Sequence, residues 1–314
     1  MLHPQAQALI ALIEERGLPP MQSLSPVEAR LFYRERRALT QPEPPPVAEI
    51  TELSADGPHG AIPLRLYRPT RRSDDPAAAP VLVYFHGGGW TIGDLDTHDV
   101  LCRQLANGSG CAVVAVDYRM GPEHRFPAAV DDSLAATRWV HRHCESLGLD
   151  PARLAVGGDS AGGNLAAVVA LLARDAGDLP LAYQLLIYPA TDMRCVHPSH
   201  AANGRGYLLE TPTIAYFRGN YIDDAACYVD WRASPLLHTD LAKLPPALVL
   251  TAGFDPLRDE GMAYANALVA AGNTATYVCF ERQIHGFITM GKALDEANTA
   301  VALCAAEVAR ALRR

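Results

Sequence analysis

The chain lacks a basic signature. Across 314 residues it carries 27 Lys plus Arg against 35 Asp plus Glu, a net charge of −8, and its basic clusters stop at Arg34-Glu35-Arg36-Arg37 and Arg71-Arg72. That argues against nucleic acid or an anionic membrane surface as partner and points to a small or neutral substrate. No apolar run is long enough to span a bilayer, and no basic segment precedes the short amino-terminal apolar stretch, which ends in Glu14-Glu15. Seven cysteines (102, 111, 144, 195, 227, 279 and 304) are an odd number without Cys-x-x-Cys spacing, so free thiols are expected rather than a disulfide frame or zinc site. The cytoplasm is the expected location, without stable membrane association. Neither Gly87-Gly88-Gly89-Trp90 nor Gly157-Gly158-Asp159-Ser160 continues into a Gly-x-Gly-x-x-Gly pattern, which argues against a dinucleotide cofactor. His141/His143 and His197/His200 lack the spacing and partners of a metal set, so no metal is expected. There is no internal repeat, and no low-complexity tract beyond Gln41-Pro42-Glu43-Pro44-Pro45-Pro46 and Ala77-Ala78-Ala79.

What is present is core-forming: 49% of the residues are hydrophobic, enough for one large α/β domain. Leu2, Ala6, Leu9, Ile10 and Ile13 recur at helical spacing, and Ser25, Pro26 and Glu28 signal the start of a second helix through a capping box. The proline connector separates these two helices from the rest of the chain and marks them as an appendage. Strand patterns then cover Ala48 to Leu53, Leu64 to Tyr67, Val81 to Phe85, Ala112 to Val116, Leu154 to Val156, Tyr183 to Tyr188, Ala247 to Thr251 and Thr276 to Phe280. Helix patterns alternate with them at Asn164 to Arg174, around Met262 to Val269, and from Leu294 to Leu312. This implies a mostly parallel sheet with helices on both faces. Thr191 to about Pro235 breaks the rhythm and holds only helix-like turns around Thr211 to Tyr221. It reads as an insertion at the ligand-binding end of the sheet, able to form a lid with the amino-terminal helices. The expected division is 1–46 as cap helices and linker, 47–190 with 236–314 as the catalytic domain, and 191–235 as an inserted cap segment.

Gly158-Asp159-Ser160-Ala161-Gly162 lies between a strand and a helix, the arrangement of a nucleophile elbow that lifts a serine hydroxyl out of the sheet. Alone the pentapeptide arises by chance in roughly one such chain in twenty. A serine nucleophile also needs a base, a group to orient that base, and donors for the developing oxyanion. His86-Gly87-Gly88-Gly89-Trp90 follows a strand directly, and its glycines allow backbone N–H groups to approach a substrate oxygen together with the N–H of Ala161. Asp255 follows the strand ending at Thr251, and His285 follows the strand ending at Phe280. The order Ser, Asp, His is that of an α/β-hydrolase. Asp259 is the rival orienting acid, with Asp255 then only capping a helix.

These motifs, with Asp255-Pro256-Leu257-Arg258-Asp259, His285-Gly286-Phe287 and Asp117-Tyr118-Arg119-Met120-Gly121-Pro122-Glu123-His124, together resemble the bacterial hormone-sensitive-lipase-like esterases, often called family IV. The resemblance implies an α/β-hydrolase fold with a helical cap, no cofactor, and hydrolysis of short- to medium-chain carboxylic esters through an acyl-enzyme, by a monomer or homodimer. It makes Ser160 the nucleophile, His285 the general base and then acid, Asp255 the orienting carboxylate, and Gly88, Gly89 and Ala161 the oxyanion donors. His86 shapes the glycine loop and stays outside the triad. By the same resemblance Glu123 with Arg119 braces that loop, with an exposed ion pair as the alternative, and Asp159 is read as bonding the loop rather than tuning the serine.

Trp90, Leu208, Ile214 and Phe217 are candidate pocket walls, with packing inside the cap as the alternative. Two positions depart from the family's usual pattern: Gly121 stands where alanine is common, and Arg125 where proline is frequent. Two other functions fit the same motifs. An amidase or arylacylamidase would use the same triad, and a small-ligand receptor resembling the gibberellin receptors would be expected to have lost the base that His285 supplies.

Overall fold

Runs of β-branched and other apolar residues build a central sheet in a computed structural model that describes residues 1–70 and 78–313. Arg71-Arg72 and Ala77 lie outside the described residues. The strands are β1 (Glu49–Gly57), β2 (Gly60–Arg68), β3 (Ala79–Phe85), β4 (Ala112–Val116), β5 (Leu149–Asp159), β6 (Tyr183–Ile187), β7 (Ala247–Phe254) and β8 (Ala275–Ile284). They form one sheet in the order β1-β2-β4-β3-β5-β6-β7-β8. β2 pairs antiparallel with β1 and β4, and the remaining neighbours run parallel. β4 and β6 are buried at every residue, as strands covered on both faces must be. β1, at the edge, is largely exposed and has one buried residue, Ala55.

The helices are α1 (Pro4–Glu15), α2 (Pro26–Thr40), α3 (Asp99–Ser109), α4 (Ala128–His143), α5 (Ala161–Ala176), α6 (Pro198–Ala202), α7 (Thr211–Tyr221), α8 (Arg258–Ala270) and α9 (Asp295–Leu312). One face of the sheet packs against α4, α5 and α8 through residues such as Val140, Val168 and Leu268. The other packs against α3 and α9 through Leu105, Val301 and Val308. The mostly parallel sheet with helices on both faces that the alternating pattern implies is therefore present, and it fits the α/β-hydrolase fold that the resemblance implies. α5 is apolar nearly all round and buried along most of its length, as befits a helix wedged between a sheet and its neighbours.

The amino-terminal helices form where their spacing and caps predict. Ser25 Oγ accepts from the Glu28 N–H at 3.3 Å, and a Glu28 carboxylate oxygen accepts from the Ser25 N–H at 2.9 Å. The connector does not hold these helices apart, as the proline run suggests. Gln41 is buried and donates through Nε2 to the Thr97 carbonyl, while the Pro45 and Pro46 carbonyls accept from Arg103 and Asn107 of α3. Proline has no N–H to offer but keeps its carbonyl, so a proline-rich strap can still be bonded down by its neighbours.

At the end of β4, burial and the neighbouring Asp94 push the Asp117 carboxyl up to about 6. A carboxyl raised above its unfolded value of about 3.9 favours the folded state below that value and loses the contribution as pH rises through the folded value. Asp117→Asn is therefore expected to raise the Tm by a few degrees at pH 8, with the gain shrinking as pH falls toward 4. Thermal melts across that range check it, and a gain independent of pH would contradict the assignment.

Candidate active site

β5 ends at Asp159 and α5 begins at Ala161, leaving Ser160 alone in the turn with φ 56° and ψ −116°. That is a strained conformation for a residue with a Cβ. It persists because the surroundings over-determine it: the Ser160 N–H donates to the Ile187 carbonyl at 2.8 Å, and its carbonyl accepts from the Asn164 N–H at 3.0 Å. Gly162 permits the tight crossing, since a Cβ there would collide with the Phe85 carbonyl oxygen of β3.

The carboxyl ends of three parallel strands then converge. Asp255 follows β7 and His285 follows β8, so side chains far apart in sequence meet above Ser160. Ser160 Oγ lies 2.9 Å from His285 Nε2, and His285 Nδ1 lies 2.7 Å from Asp255 Oδ2. The second Asp255 oxygen accepts from the Leu257 N–H at 2.8 Å. Asp255 is fully buried, where an unpaired carboxylate would be costly; these two partners offset that cost and fix the plane of the carboxylate. Asp259 points elsewhere, accepting from the Ser199 N–H and from Arg258 Nε at 2.8 Å each. In chemical terms the line Ser160, His285, Asp255 has a hydroxyl next to a base whose other ring nitrogen faces a carboxylate.

The glycine loop follows directly on β3. The N–H groups of Gly88, Gly89 and Ala161 donate to no protein acceptor among the described residues. Ala161 is the first residue of α5, where N–H groups are unpaired by geometry and the helix dipole is positive. Asp159 anchors the loop from behind: its Oδ1 accepts from the Gly87 N–H at 2.9 Å and from the Tyr84 hydroxyl at 2.8 Å, and lies 3.3 Å from His98 Nε2. Although burial opposes it, the neighbouring His98 and the Tyr84 bond hold the Asp159 carboxyl below its usual range. His86 stacks on Tyr118 with ring centroids 4.4 Å apart, and burial, aided by His98, pushes its imidazole down to about 4. It is thus neutral near pH 7.

Of the pocket candidates, Phe217 lies directly over the glycine loop, where a Cβ at Gly89 would run into its ring. Trp90 is buried and stacks on Tyr221 of α7 at 4.5 Å, while Leu208 and Ile214 pack against the two cores. Glu123 does not pair with Arg119. Its carboxylate receives Arg30 of α2, at 2.8 and 2.6 Å, while Arg119 forms a two-pronged pair with the buried Asp132 at 2.8 Å per bond. His200 Nε2 lies 2.7 Å from the buried Glu260 carboxylate, and His197 faces Asp192. Among the described residues no group of three or more His, Cys, Asp or Glu side chains is placed to hold a metal.

Two residues at the site escape the motif reading. Tyr188 follows β6, and its ring centroid lies 4.6 Å from that of His285; its place at the carboxyl end of a parallel strand is the available signal. Arg30 carries no sequence signal, because a single arginine within a helix does not reveal what it faces.

A model of the α/β-hydrolase fold family matches residues 82–289. The carboxylic ester hydrolase LipN of Mycobacterium tuberculosis is 44% identical over 92% of this chain and 77% of its own length. The ethyl acetate hydrolase of Pseudomonas putida is 41% identical over 95% of each chain. Among solved structures, the metagenomic ester hydrolase EH1AB1 from Lake Arreo, complexed with a derivative of bipyridine phosphonate, superposes with a TM-score of 0.95 at 43% identity, covering 99% of both chains. A thermostable esterase from Pseudomonas putida gives a TM-score of 0.95 at 38% identity, covering 100% of this chain and 98% of that one.

Proposed function

Because this chain belongs to the hormone-sensitive-lipase-like branch of the α/β-hydrolase family and is a carboxylic ester hydrolase, we propose that it cleaves short- to medium-chain esters with Ser160, His285 and Asp255 through an acyl-enzyme. His285 Nε2 takes the proton from Ser160 as Oγ attacks the ester carbonyl carbon. The carbonyl oxygen becomes an oxyanion held by the N–H groups of Gly88, Gly89 and Ala161. The tetrahedral intermediate collapses, the bond to the leaving oxygen breaks, and His285 gives its proton to the departing alcohol. Water, deprotonated by His285, then attacks the acyl-enzyme and releases the acid and Ser160. Asp255 holds the imidazole in the tautomer this sequence needs. Residues 1–46 and 191–235 form the cap over the site, and no cofactor enters the cycle.

The observation that carries this reading is the continuous line from Ser160 Oγ to His285 to Asp255, at 2.9 and 2.7 Å. A receptor on this fold has no use for a base within reach of the serine. A cytoplasmic location belongs to the same reading, supported by the seven unpaired cysteines. Among the described residues no helix is long and apolar enough to cross a membrane.

Initial rates on p-nitrophenyl esters from acetate to palmitate test the proposal, with phosphonate-labelled enzyme as the blank. A maximum at short or medium chains, lost on labelling, is the expected result. Rates that are flat with chain length and indifferent to labelling would overturn it. Matched phenyl esters and anilides separate the amidase alternative, and the ester is expected to be the faster substrate.

A further inference from the structure

The loop that carries the proposed oxyanion donors is held from outside the hydrolase sheet, by one side chain of α2. Arg30 Nε donates to the Thr91 carbonyl at 2.8 Å, and Nη2 donates to the Gly121 carbonyl at 2.8 Å. Nη1 and Nη2 also grip the two oxygens of Glu123. These acceptors are not incidental to the glycine loop. The Thr91 N–H donates to the Gly88 carbonyl at 3.1 Å, Thr91 Oγ1 donates to the Gly89 carbonyl at 3.0 Å, and the Gly121 N–H donates to the Trp90 carbonyl at 2.8 Å. One planar guanidinium therefore joins the turn that follows Gly88 and Gly89 to the 117–126 loop that backs it. An arginine can do this because its donors form a rigid fork; a lysine ammonium is a point charge without that geometry.

The inserted cap segment reaches the same loop. Arg125 Nη1 donates to the Gly219 carbonyl at 2.7 Å and pairs with Asp223 at 2.7 Å, and the Phe126 N–H donates to the Tyr221 carbonyl at 2.7 Å. A Cβ at position 121 would collide with the Asn220 carbonyl oxygen. The two departures from the family's usual pattern, Gly121 and Arg125, thus lie where the second cap piece meets the loop that Arg30 holds. Hydrogen bonding to Arg30 holds the Glu123 carboxyl down at about 2, so this acceptor stays charged across any working pH.

We propose that Arg30 is a positioning residue for the oxyanion loop, making the amino-terminal helix a working part of the catalytic apparatus rather than a cover over it. The proposal rests on the ester-hydrolase reading of the site. Arg30 touches no reacting atom; it sets the distance from the Gly88 and Gly89 N–H groups to the substrate oxygen, and it acts on the transition state more than on substrate binding. A small misplacement of such donors is enough to cost about 100-fold in rate.

The test is steady-state kinetics on p-nitrophenyl acetate, with rates normalised to active sites titrated by a phosphonate, for Arg30→Ala, Arg30→Lys, Glu123→Gln and Arg34→Ala. Arg30→Ala is expected to lower kcat by about 10- to 100-fold with KM little changed, and to weaken a boronate transition-state analogue by the same factor. Arg30→Lys is expected to recover only part of the loss, and Glu123→Gln to show a smaller loss of the same kind. Arg34 is the control, since it pairs with Asp94 further along α2 without touching the carbonyls around the glycine loop, and its variant is expected to keep the parent kcat. Parent-like kcat in Arg30→Ala, or an equal loss in Arg34→Ala, would overturn the proposal. So would a loss that vanishes once rates are divided by titrated sites. Should Arg30→Ala not fold, the kcat-to-KM split in Arg30→Lys decides by the same criteria. A parent enzyme that hydrolyses no ester would instead overturn the ester-hydrolase reading.

Discussion

Ser160→Ala is expected to lower kcat on p-nitrophenyl esters by about a million-fold, and Asp255→Asn by about ten-thousand-fold, while Asp259→Asn keeps a kcat near the parent's. In the proposed mechanism the first loss comes from removing the atom that forms the acyl bond. The second comes from proton placement. Asp255 Oδ2 lies 2.7 Å from His285 Nδ1, and in the proposed mechanism the carboxylate keeps the imidazole proton on Nδ1, so that Nε2 is free to accept the Ser160 proton. Asparagine has nearly the same shape, and rotating its amide allows Nδ2 to donate to Nδ1. The proton then moves to Nε2, and the ring becomes a donor where a base is needed. The Leu257 N–H, which donates to the other Asp255 oxygen at 2.8 Å, favours that rotamer by claiming the asparagine oxygen. Asp259 bonds the Ser199 N–H and Arg258, so its replacement loosens the start of α6 and not the base. Cooperative melting curves that show each variant folded, together with these kcat values, would support the assignment. Parent-like kcat in Asp255→Asn together with a collapse in Asp259→Asn would reverse the roles of the two aspartates.

That pair of aspartates shows how far the sequence alone can be read. Both follow β7 within five residues, and spacing cannot decide which one meets a histidine thirty positions later. The decision lies in where α8 begins: Asp255 precedes it on the strand end, whereas Asp259 lies in its first turn and faces α6. The strands and the helices α1, α2, α5, α8 and α9, unlike α3, are legible because their apolar periodicity or caps are strong, as in β4, whose bounds match the sequence pattern residue for residue. α4 does not stand out in the sequence, and the reason is physical. Its buried face includes Asp132, Ser133 and Thr137, which look like surface residues in a pattern of hydropathy. Each is satisfied inside: Asp132 by Arg119, Ser133 by the Ala129 carbonyl and Thr137 by the Ser133 carbonyl.

The same limit explains Glu123. The resemblance puts Glu123 together with Arg119, but the guanidinium that reaches it comes from 93 positions away. Motifs report chemistry that needs fixed local spacing, such as a serine elbow or a glycine loop. They do not report a bond between a cap helix and a loop, which any long donor of suitable reach can make.

Gly88→Ala is expected to reduce kcat by about a thousand-fold, with folding retained at a lower Tm, and no change in the cap is expected to restore it. Gly88 has φ 122°, a conformation that glycine adopts without strain and alanine does not, and a Cβ there would collide with the backbone carbonyl of Ile92. That carbonyl cannot move without the turn itself, because the Ile92 N–H donates to the Gly88 carbonyl at 3.0 Å. The loop must shift, and the Gly88 and Gly89 donors shift with it; one such donor is worth about 100- to 1000-fold. Gly89→Ala differs in kind. At φ 58° the backbone strain is modest, and what its Cβ meets is the Phe217 ring, a side chain of the cap. Phe217→Ala removes that ring, so the double variant Gly89→Ala/Phe217→Ala is expected to recover part of the rate that Gly89→Ala loses, whereas Gly88→Ala/Phe217→Ala is expected to recover none. Rates per titrated site on p-nitrophenyl acetate distinguish the two. Rescue of both by Phe217→Ala would mean that crowding of the substrate, and not displacement of the donors, limits the glycine variants. Rescue of Gly89→Ala alone would locate the boundary between the proposed cap and the proposed oxyanion hole at the Cα of Gly89.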